Sequence, residues 1–381
     1  MKRAWAMDRS LDHIRVLAGS GLDHQALRKA VLGELGRTLP FDAFVWPLCD
    51  PRTTVGMAPR ARIPCPRELP ALIRLKYLSE PARWTGLMDS SSPALSLQHA
   101  TRGEPALSLA WRGVMKGCGV RDVLSVVVAD KYGCWAWLDL WRTGTATDFT
   151  LDEAKYMGKV AAELTAGLRR SVAGQFQAGP VFQAGRALEA GQVFQSGTGQ
   201  RDLPEQAVLT LDEDLSVAGQ SASVAGWLRL LQPGPSPHHQ VPAEVLNVAA
   251  QLLAREAGVD AHDAECRVHI GEGRWAMLRA TRMDSGQTGA VNSGQDAAAA
   301  PLAVTIQGCP PSDRLDMFAR SFGLTPRQRE LLLLSAAGAD TGTMAEAQGV
   351  TSYTVQDQFK QIFQACGVHS RASMLAKALG S

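Results

Sequence analysis

Between Phe322 and Leu379 the chain is punctuated at such short intervals that little other than four short helices fits it. Thr325 is placed to cap a helix, with Pro326 at its first position and Gln328 completing a capping box. Gly338 ends that segment, and a second, from about Thr343 to Gln348, stops at Gly349. Thr351 caps a third, running from Ser352 to about Cys366 and closed by Gly367; Ser370 caps a fourth, Arg371 to Leu379.

The third of these helices has two distinct faces. Val355, Phe359, Ile362 and Phe363 recur at helical spacing and form its buried stripe. Tyr353, Gln356, Asp357, Lys360, Gln361 and Gln364 form the opposite, polar face. Any surface helix has a polar face, so this pattern alone does not single out a ligand. Short helices joined through Gly349 nevertheless suit a helix lying in the DNA major groove. There Gln can pair with adenine, Asp can accept from cytosine, and Lys can reach guanine or phosphate.

Charge argues the other way. The 381-residue chain has a net charge of only +2. From Ser312 onward, seven basic residues (Arg314, Arg320, Arg327, Arg329, Lys360, Arg371, Lys377) face six acidic ones (Asp313, Asp316, Glu330, Asp340, Glu346, Asp357), a net of +1. That is little for a partner whose phosphates supply most non-specific affinity.

The run LTPRQRELLLL…AAG…MAEAQGVTSYTVQDQFKQIFQACGVHSRASMLAKAL resembles the LuxR-type helix-turn-helix, in the form common in actinobacterial regulators. The correspondence rests on Leu324, Thr325, Pro326, Arg327, Glu330, Leu332, Gly338, Ala345, Gly349, Val350, Thr354, Val355, Ile362, Phe363, Gly367, Val368, Ser370 and Arg371. It covers about a sixth of the chain and is nearly gapless. The resemblance implies that the helix from Ser352 is the recognition helix. It places Thr351, Ser352, Tyr353, Thr354, Gln356, Asp357, Lys360, Gln361 and Gln364 at double-stranded DNA, with Arg327 and Arg371 as flanking contacts. The final helix is where such modules usually dimerise. Gln358 stands where the family usually has His, Ala365 where it has Lys, and Gly342 and Thr343 where it has Lys-Glu. The lost cations should weaken phosphate contacts.

Upstream, the sequence divides into two α+β units, so the whole reads as a multidomain α+β chain with an all-α C-terminal domain. Residues 1–172 contain a helix around 22–38, a strand from Phe41 to Leu48, and a hairpin of Val123–Ala129 and Cys134–Trp141 about a Gly-containing turn. A long helix follows, opened by a Thr150/Glu153 capping box. This order resembles a GAF domain. Trp135, Trp137, Asp139 and Trp141 alternate onto one strand face, which can line a ligand pocket or, more commonly, pack against helices.

Residues 173–202 read as a low-complexity linker: Phe176, Phe182, Leu188 and Phe194 recur every six residues, too few copies to bury a solenoid core. Residues 203–310 hold a strand from Gln206 to Leu211, helices at Val224–Leu231 and Pro242–Ala257, a hairpin of Cys266–Ile270 with Arg274–Arg282, and a closing strand Leu302–Ile306. Ser285–Ala300 reads as a mobile loop, and His238-His239 as part of a Pro-flanked one. This second unit resembles a PAS domain. The tail, 311–381, combines a linker helix with the helix-turn-helix. The helices near 150–172 and 311–322 are candidate dimer or signal-transmitting elements.

Several classes are set aside. No P-loop, G-x-S-x-G elbow, H-E-x-x-H or dinucleotide fingerprint occurs, so an enzyme is not expected. Cys266 with His269 lacks the second pair that a zinc site needs, and no single His or Cys stands out as a haem or flavin ligand, so no cofactor or metal is evident. No apolar run reaches the roughly 18 residues of a membrane span. The charged N-terminus, MKRAWAMDRSLDHIRV, is unlike a secretory leader. Seven scattered cysteines suit a reducing cytoplasm. The expectation is a cytoplasmic, homodimeric, DNA-binding transcriptional regulator, with a small-molecule ligand in either upstream unit a further expectation. The alternative is a signalling or scaffold protein whose tail binds protein.

Overall fold

A computed structural model of the chain describes residues 2–177, 203–232, 241–283 and 300–380. The hexad repeat beyond Gln177, the His238-His239 segment and residues 285–299 lie outside the described residues. The architecture is mixed α+β: two five-stranded antiparallel sheets, followed by helices alone at the C-terminus.

The first unit opens with α1 (Lys2–Gly19) and α2 (His24–Thr38), the latter capped by Asp23. β1 (Ala43–Cys49) and β2 (Gly56–Arg62) follow, then α3 (Leu69–Leu78), α4 (Trp84–Met88), β3 (Ala94–Ser96) and α5 (Leu97–Ala100). A π-helical turn at Trp111–Met115 precedes the long hairpin β4 (Val120–Asp130) and β5 (Gly133–Thr143), and α6 (Leu151–Ala173) closes the unit. The strand order is β2-β1-β5-β4-β3. The Thr150/Glu153 capping box is formed, and Arg142 pairs with the same Glu153 at 2.8 Å.

Period-two alternation divides the sheet's side chains. Leu124, Val126, Leu138 and Leu140 are buried on the face covered by α6, against which α1 and α2 pack. Cross-strand pairs Val123–Trp141, Ser125–Asp139 and Val127–Trp137 lie on the other face, toward α3 and α4, where Trp84 stacks on Trp137 at 5.1 Å. α1 has no counterpart in the sequence reading. It is held to α6 by Tyr156 donating to Ser10, by Arg170 donating to the Ala18 carbonyl, and by an Arg15–Glu163 ion pair.

The second sheet, β7-β6-β10-β9-β8, comprises β6 (Ala207–Leu211), β7 (Val217–Gln220), β8 (Glu265–His269), β9 (Trp275–Arg282) and β10 (Leu302–Gly308). α7 (Val224–Leu231) flanks it, and α8 (Ala243–Glu256) packs across β8, β9 and β10. Cys266 and His269, three residues apart on β8, point to opposite faces.

α8 is buried over its whole length from Glu244 to Ala254 because it also packs on α3 and β2 of the first unit. Its polar residues are matched there. Glu244 accepts from the Ala58 N–H at 2.8 Å, Asn247 donates to the Gly56 carbonyl at 2.8 Å, and Gln251 accepts from Arg83. A buried Arg83–Asp260 pair at 2.7 Å adds a charge contact between the units. The linker reading needs a shift at its start: Ala173 still belongs to α6, and Phe176 is buried, stacking on Trp275 at 4.9 Å and meeting Phe318 edge-on.

The tail consists of α9 (Pro311–Ser321), α10 (Pro326–Ala336), α11 (Thr341–Gln348), α12 (Ser352–Cys366) and α13 (Arg371–Leu379). The capping box at Thr325/Gln328, the Thr351 cap and the Ser370 cap are all formed. Asp340, unforeseen, caps α11, which begins two residues before its expected start. Gly349 and Gly367 end α11 and α12 in the left-handed conformation at φ 63°, which a Cβ would strain.

Candidate functional site

α12 projects from the C-terminal bundle. Val355, Phe359 and Ile362 are buried and Phe363 is half-buried, anchoring the helix against α10, α11 and α13. The opposite face is open: Tyr353 is 74% exposed, and Thr351, Ser352, Gln356, Asp357, Lys360, Gln361 and Gln364 are exposed with it. Lys360 lies 3.8 Å from Asp357 and over the Tyr353 ring at 5.9 Å. Gln361 accepts from Gln328 of α10 at 3.2 Å. Thr354 is half-buried, and its N–H donates to the Thr351 hydroxyl at 3.2 Å. Among the described residues, no side chain of this face bonds to any residue before 311.

The two flanking arginines part company. Arg327 is exposed in the first turn of α10. Arg371 is half-buried, lies over the Phe359 ring at 4.2 Å and donates to Thr341 at 2.9 Å, so it ties α11, α12 and α13 together instead of standing free. Burial lowers its pKa, with Asp340 acting against that. Gln358, at the family's usual His position, is half-buried and donates to Gln348 at 3.5 Å. Gln348 in turn donates to the Arg327 carbonyl and to Glu330. These amides hold the two helices of the turn together.

Most of the tail's cations are committed internally. Arg314 donates to the Ala378 carbonyl, Arg320 to the Tyr132 carbonyl, Arg329 pairs with Asp316, and Lys377 donates to the Cys366 carbonyl. With Arg371 packed on Phe359 and Arg329, though 42% exposed, tied to Asp316, Arg327 and Lys360 are the exposed tail cations of the described residues that no such contact inside the fold holds.

A buried ionic joint connects the tail to both upstream units. Arg267 of β8 is 0% exposed and grips Asp50, at the end of β1, through Nε at 2.7 Å and Nη2 at 2.6 Å. Its Nη1 donates to Asp316 of α9 at 2.6 Å and to the Asp313 carbonyl at 2.9 Å. Burial would lower the Arg267 pKa, but Asp50 and Asp316 raise it above the ordinary value. Burial likewise opposes ionisation of Asp50, and Arg267 reverses that, leaving Asp50 below the usual carboxylate range. Asp316 continues the chain to Arg320 and to Arg329 of α10. Gly323, between α9 and α10, sits at φ 66°, a left-handed conformation that strains any side chain, and a Cβ there would displace the guanidinium of Arg169 of α6, 2.4 Å away. Helix 311–322, expected as a dimer or signalling element, is thus buried from Arg314 to Ala319 within one chain. The apolar residues of α13, Met374, Leu375 and Ala378, are buried as well.

The tryptophan face of β5 lines a partly open pocket of about 130 Å³, bounded by β1, β2, α3, β5, the π-turn and α8. Trp137, Asp139 and Trp141 form one wall. Trp135 does not, because a bulge opposite Val128/Ala129 breaks the alternation and its indole donates to Asp130 instead. Asp139 is buried, accepts from Ser125 at 2.7 Å and pairs with Lys76 at 2.8 Å. The indole N–H groups of Trp137 and Trp141 are buried without an acceptor among the described residues. A buried donor left unpaired costs about 1–3 kcal/mol.

The sequence reading passed over α3, although Leu69, Leu72, Ile73, Lys76 and Tyr77, all lining the cavity, recur at i, i+3, i+4, i+7 and i+8. It also missed the ionic joint, whose signal was an arginine set between two apolar strand residues, Arg267 between Cys266 and Val268.

No family model, curated protein or solved structure matches the chain. Among the described residues, no helix is long and apolar enough to cross a membrane.

Proposed function

We propose that this chain is a sequence-specific DNA-binding transcriptional regulator, reading duplex DNA through α12 under the control of its two upstream units. The observation that carries the reading is the single open polar row on α12: Tyr353, Gln356, Asp357, Lys360, Gln361 and Gln364. A helix anchored on one side and presenting amide, carboxylate and amine groups on the other has the chemistry to read base edges in the major groove. The resemblance of residues 322–379 to the LuxR-type helix-turn-helix supports it. The upstream units, by their resemblance to GAF and PAS domains, would be sensors, and the Arg267 joint is a physical route from either to α10. A homodimer on DNA belongs to the proposal. Its interface would use outer surfaces, because the apolar faces of α6, α9 and α13 are used within the chain.

One observation favours a second reading, in which the tail binds a protein. Among the described residues, Arg327 and Lys360 are the fully exposed cations of the tail, Arg329 is paired with Asp316, and Lys360 already has Asp357 beside it. The salt dependence of binding separates the two. Each phosphate neutralised contributes a slope of about −0.9 in log K against log salt, so two cations give about −2 per protomer and twice that for a dimer. Fluorescence anisotropy of the full chain on duplex DNA from its own promoter region should give that slope, reduced by about 1 per protomer in Lys360→Ala. A full chain that does not bind DNA at low salt, together with a 310–381 fragment that does not either, would leave the protein-binding reading standing.

A further inference from the structure

We infer that the cleft between the β4–β5 hairpin tip and α10 is a docking site for a segment of another protein that carries several carboxylates beside an apolar side chain. The inference holds whatever α12 binds, because the cleft lies on a different face of the C-terminal helices.

The cleft joins two units of the fold. Lys131 and Tyr132 of the hairpin tip form one side, residues of α9 and α10 form the other, and the space between them is about 510 Å³. Clefts that hold a specific ligand run to about 300–1,000 Å³. The two sides are pinned together. Arg320 of α9 donates to the Tyr132 carbonyl at 2.8 Å and shares Asp316 with Arg329 of α10. The site is therefore formed before a partner arrives, which lowers the ordering cost of docking.

Its lining combines apolar surface with positive charge. Ala319 and Leu324 form a buried apolar floor, and Leu333 adds a large apolar side chain that is 39% exposed. Three cations, Lys131, Arg320 and Arg329, stand around that floor against one lining carboxylate, Glu330, which accepts from Gln348 of α11. Asp316, behind Arg320 and Arg329, is already shared with Arg267. Lys131 is exposed, lies over the Tyr132 ring at 5.2 Å, and has no ion-pair partner among the described residues. A bare anion such as phosphate would leave the floor uncovered. A purely apolar segment would desolvate the cations without matching them. Carboxylates flanking an apolar side chain satisfy both.

Position favours a protein over a duplex. On α10, Gln328 bonds to Gln361 in the polar row of α12. Pro326, Glu330 and Leu333, which line the cleft, lie on the opposite side of that helix by its periodicity. A duplex lying along α12 leaves this side open.

The chain's own remaining segments do not supply the occupant. Outside the described residues the acids are Glu189 and Asp202 in one segment and Asp284 and Asp296 in another, too sparse to meet three cations together. The complementary segment belongs to another molecule.

The test selects a phage-displayed library of random short peptides on the full chain, then measures a synthetic copy of the most enriched peptide by fluorescence anisotropy. The enriched peptides should combine several Asp or Glu with Leu, Ile or Phe. Affinity should fall about tenfold or more in Lys131→Glu, where a like charge meets the peptide, and about tenfold in Leu333→Ala, which removes apolar contact. Both side chains are exposed, so circular dichroism should show both variants folded as wild type. Replacing the peptide's acids by their amides should weaken it similarly. The Gln356→Ala, Lys360→Ala double variant should bind the peptide unchanged, which separates this site from α12. A library that yields no such peptide, or a peptide whose affinity Lys131→Glu or Leu333→Ala leaves unchanged, would overturn the inference. So would a salt slope of duplex binding reduced by about 1 in Lys131→Glu, which would make the cleft a phosphate contact.

Discussion

Replacing Arg267 by Met should be among the most damaging single changes available to this chain, and its size can be worked from the joint it occupies. Arg267 makes four side-chain hydrogen bonds, two to Asp50, one to Asp316 and one to the Asp313 carbonyl. Asp316 would keep Arg320 and Arg329. Asp50 would keep only the N–H groups of Arg52 and of residue 267 itself, and no counter-charge in contact. The cost is therefore that of stranding one buried carboxylate, about 3–5 kcal/mol. Arg267→Lys keeps the charge but not the two-pronged grip on Asp50, and should cost less than Arg267→Met. Asp50→Asn combined with Arg267→Met removes both charges and should recover most of the loss, since an uncharged, filled site is often as stable as the ion pair. Urea denaturation followed by tryptophan fluorescence and by circular dichroism measures all four proteins. An Arg267→Met variant within about 1 kcal/mol of wild type, or a double variant no better than the single one, would refute the claim that this arginine secures the joint.

Three further outcomes follow from named contacts. Thr351→Ala removes the side-chain acceptor at the start of α12 and should lower the stability of the C-terminal helices by about 1 kcal/mol, seen as faster amide exchange in residues 352–356. Burial, with Arg28 beside it, holds His24 neutral down to about pH 4. The unfolded chain takes up that proton near the ordinary value of 6.5, so stability should fall as pH drops from about 6.5 to 4, and His24→Gln should flatten that part of the denaturation–pH curve. His262 has the opposite sign: its bond to Asp260 raises its pKa, so its contribution is full below about 6.5 and is lost as pH rises through the folded value, which NMR titration of the ring can follow.

The C-terminal helices were legible in the sequence because their limits are local: Thr325, Thr351 and Ser370 cap, and Gly349 and Gly367 terminate, without help from the rest of the chain. The exposed row on α12 followed from the same periodicity. Arg371 did not, because its role depends on Phe359 and Thr341, which the fold brings to it from other helices. The hairpin β4–β5 was legible from its apolar runs, whereas the direction of Trp135 was hidden by a one-residue bulge. The burial of α8 on all sides could not be read from its own pattern. Glu244, Asn247 and Gln251 mark what a lone helix would turn to water, and here they bond to β2 and Arg83. Non-local contacts of this kind are what a single sequence conceals.

Selection from a pool of random duplexes by the full chain, run in parallel with a Gln356→Ala, Lys360→Ala double variant, tests the central claim most directly. The account predicts that wild type enriches one short motif and that the variant loses or relaxes it while remaining folded. Enrichment of no motif by wild type, or of the same motif at the same rate by the variant, would contradict the assignment of α12 as the element that reads DNA.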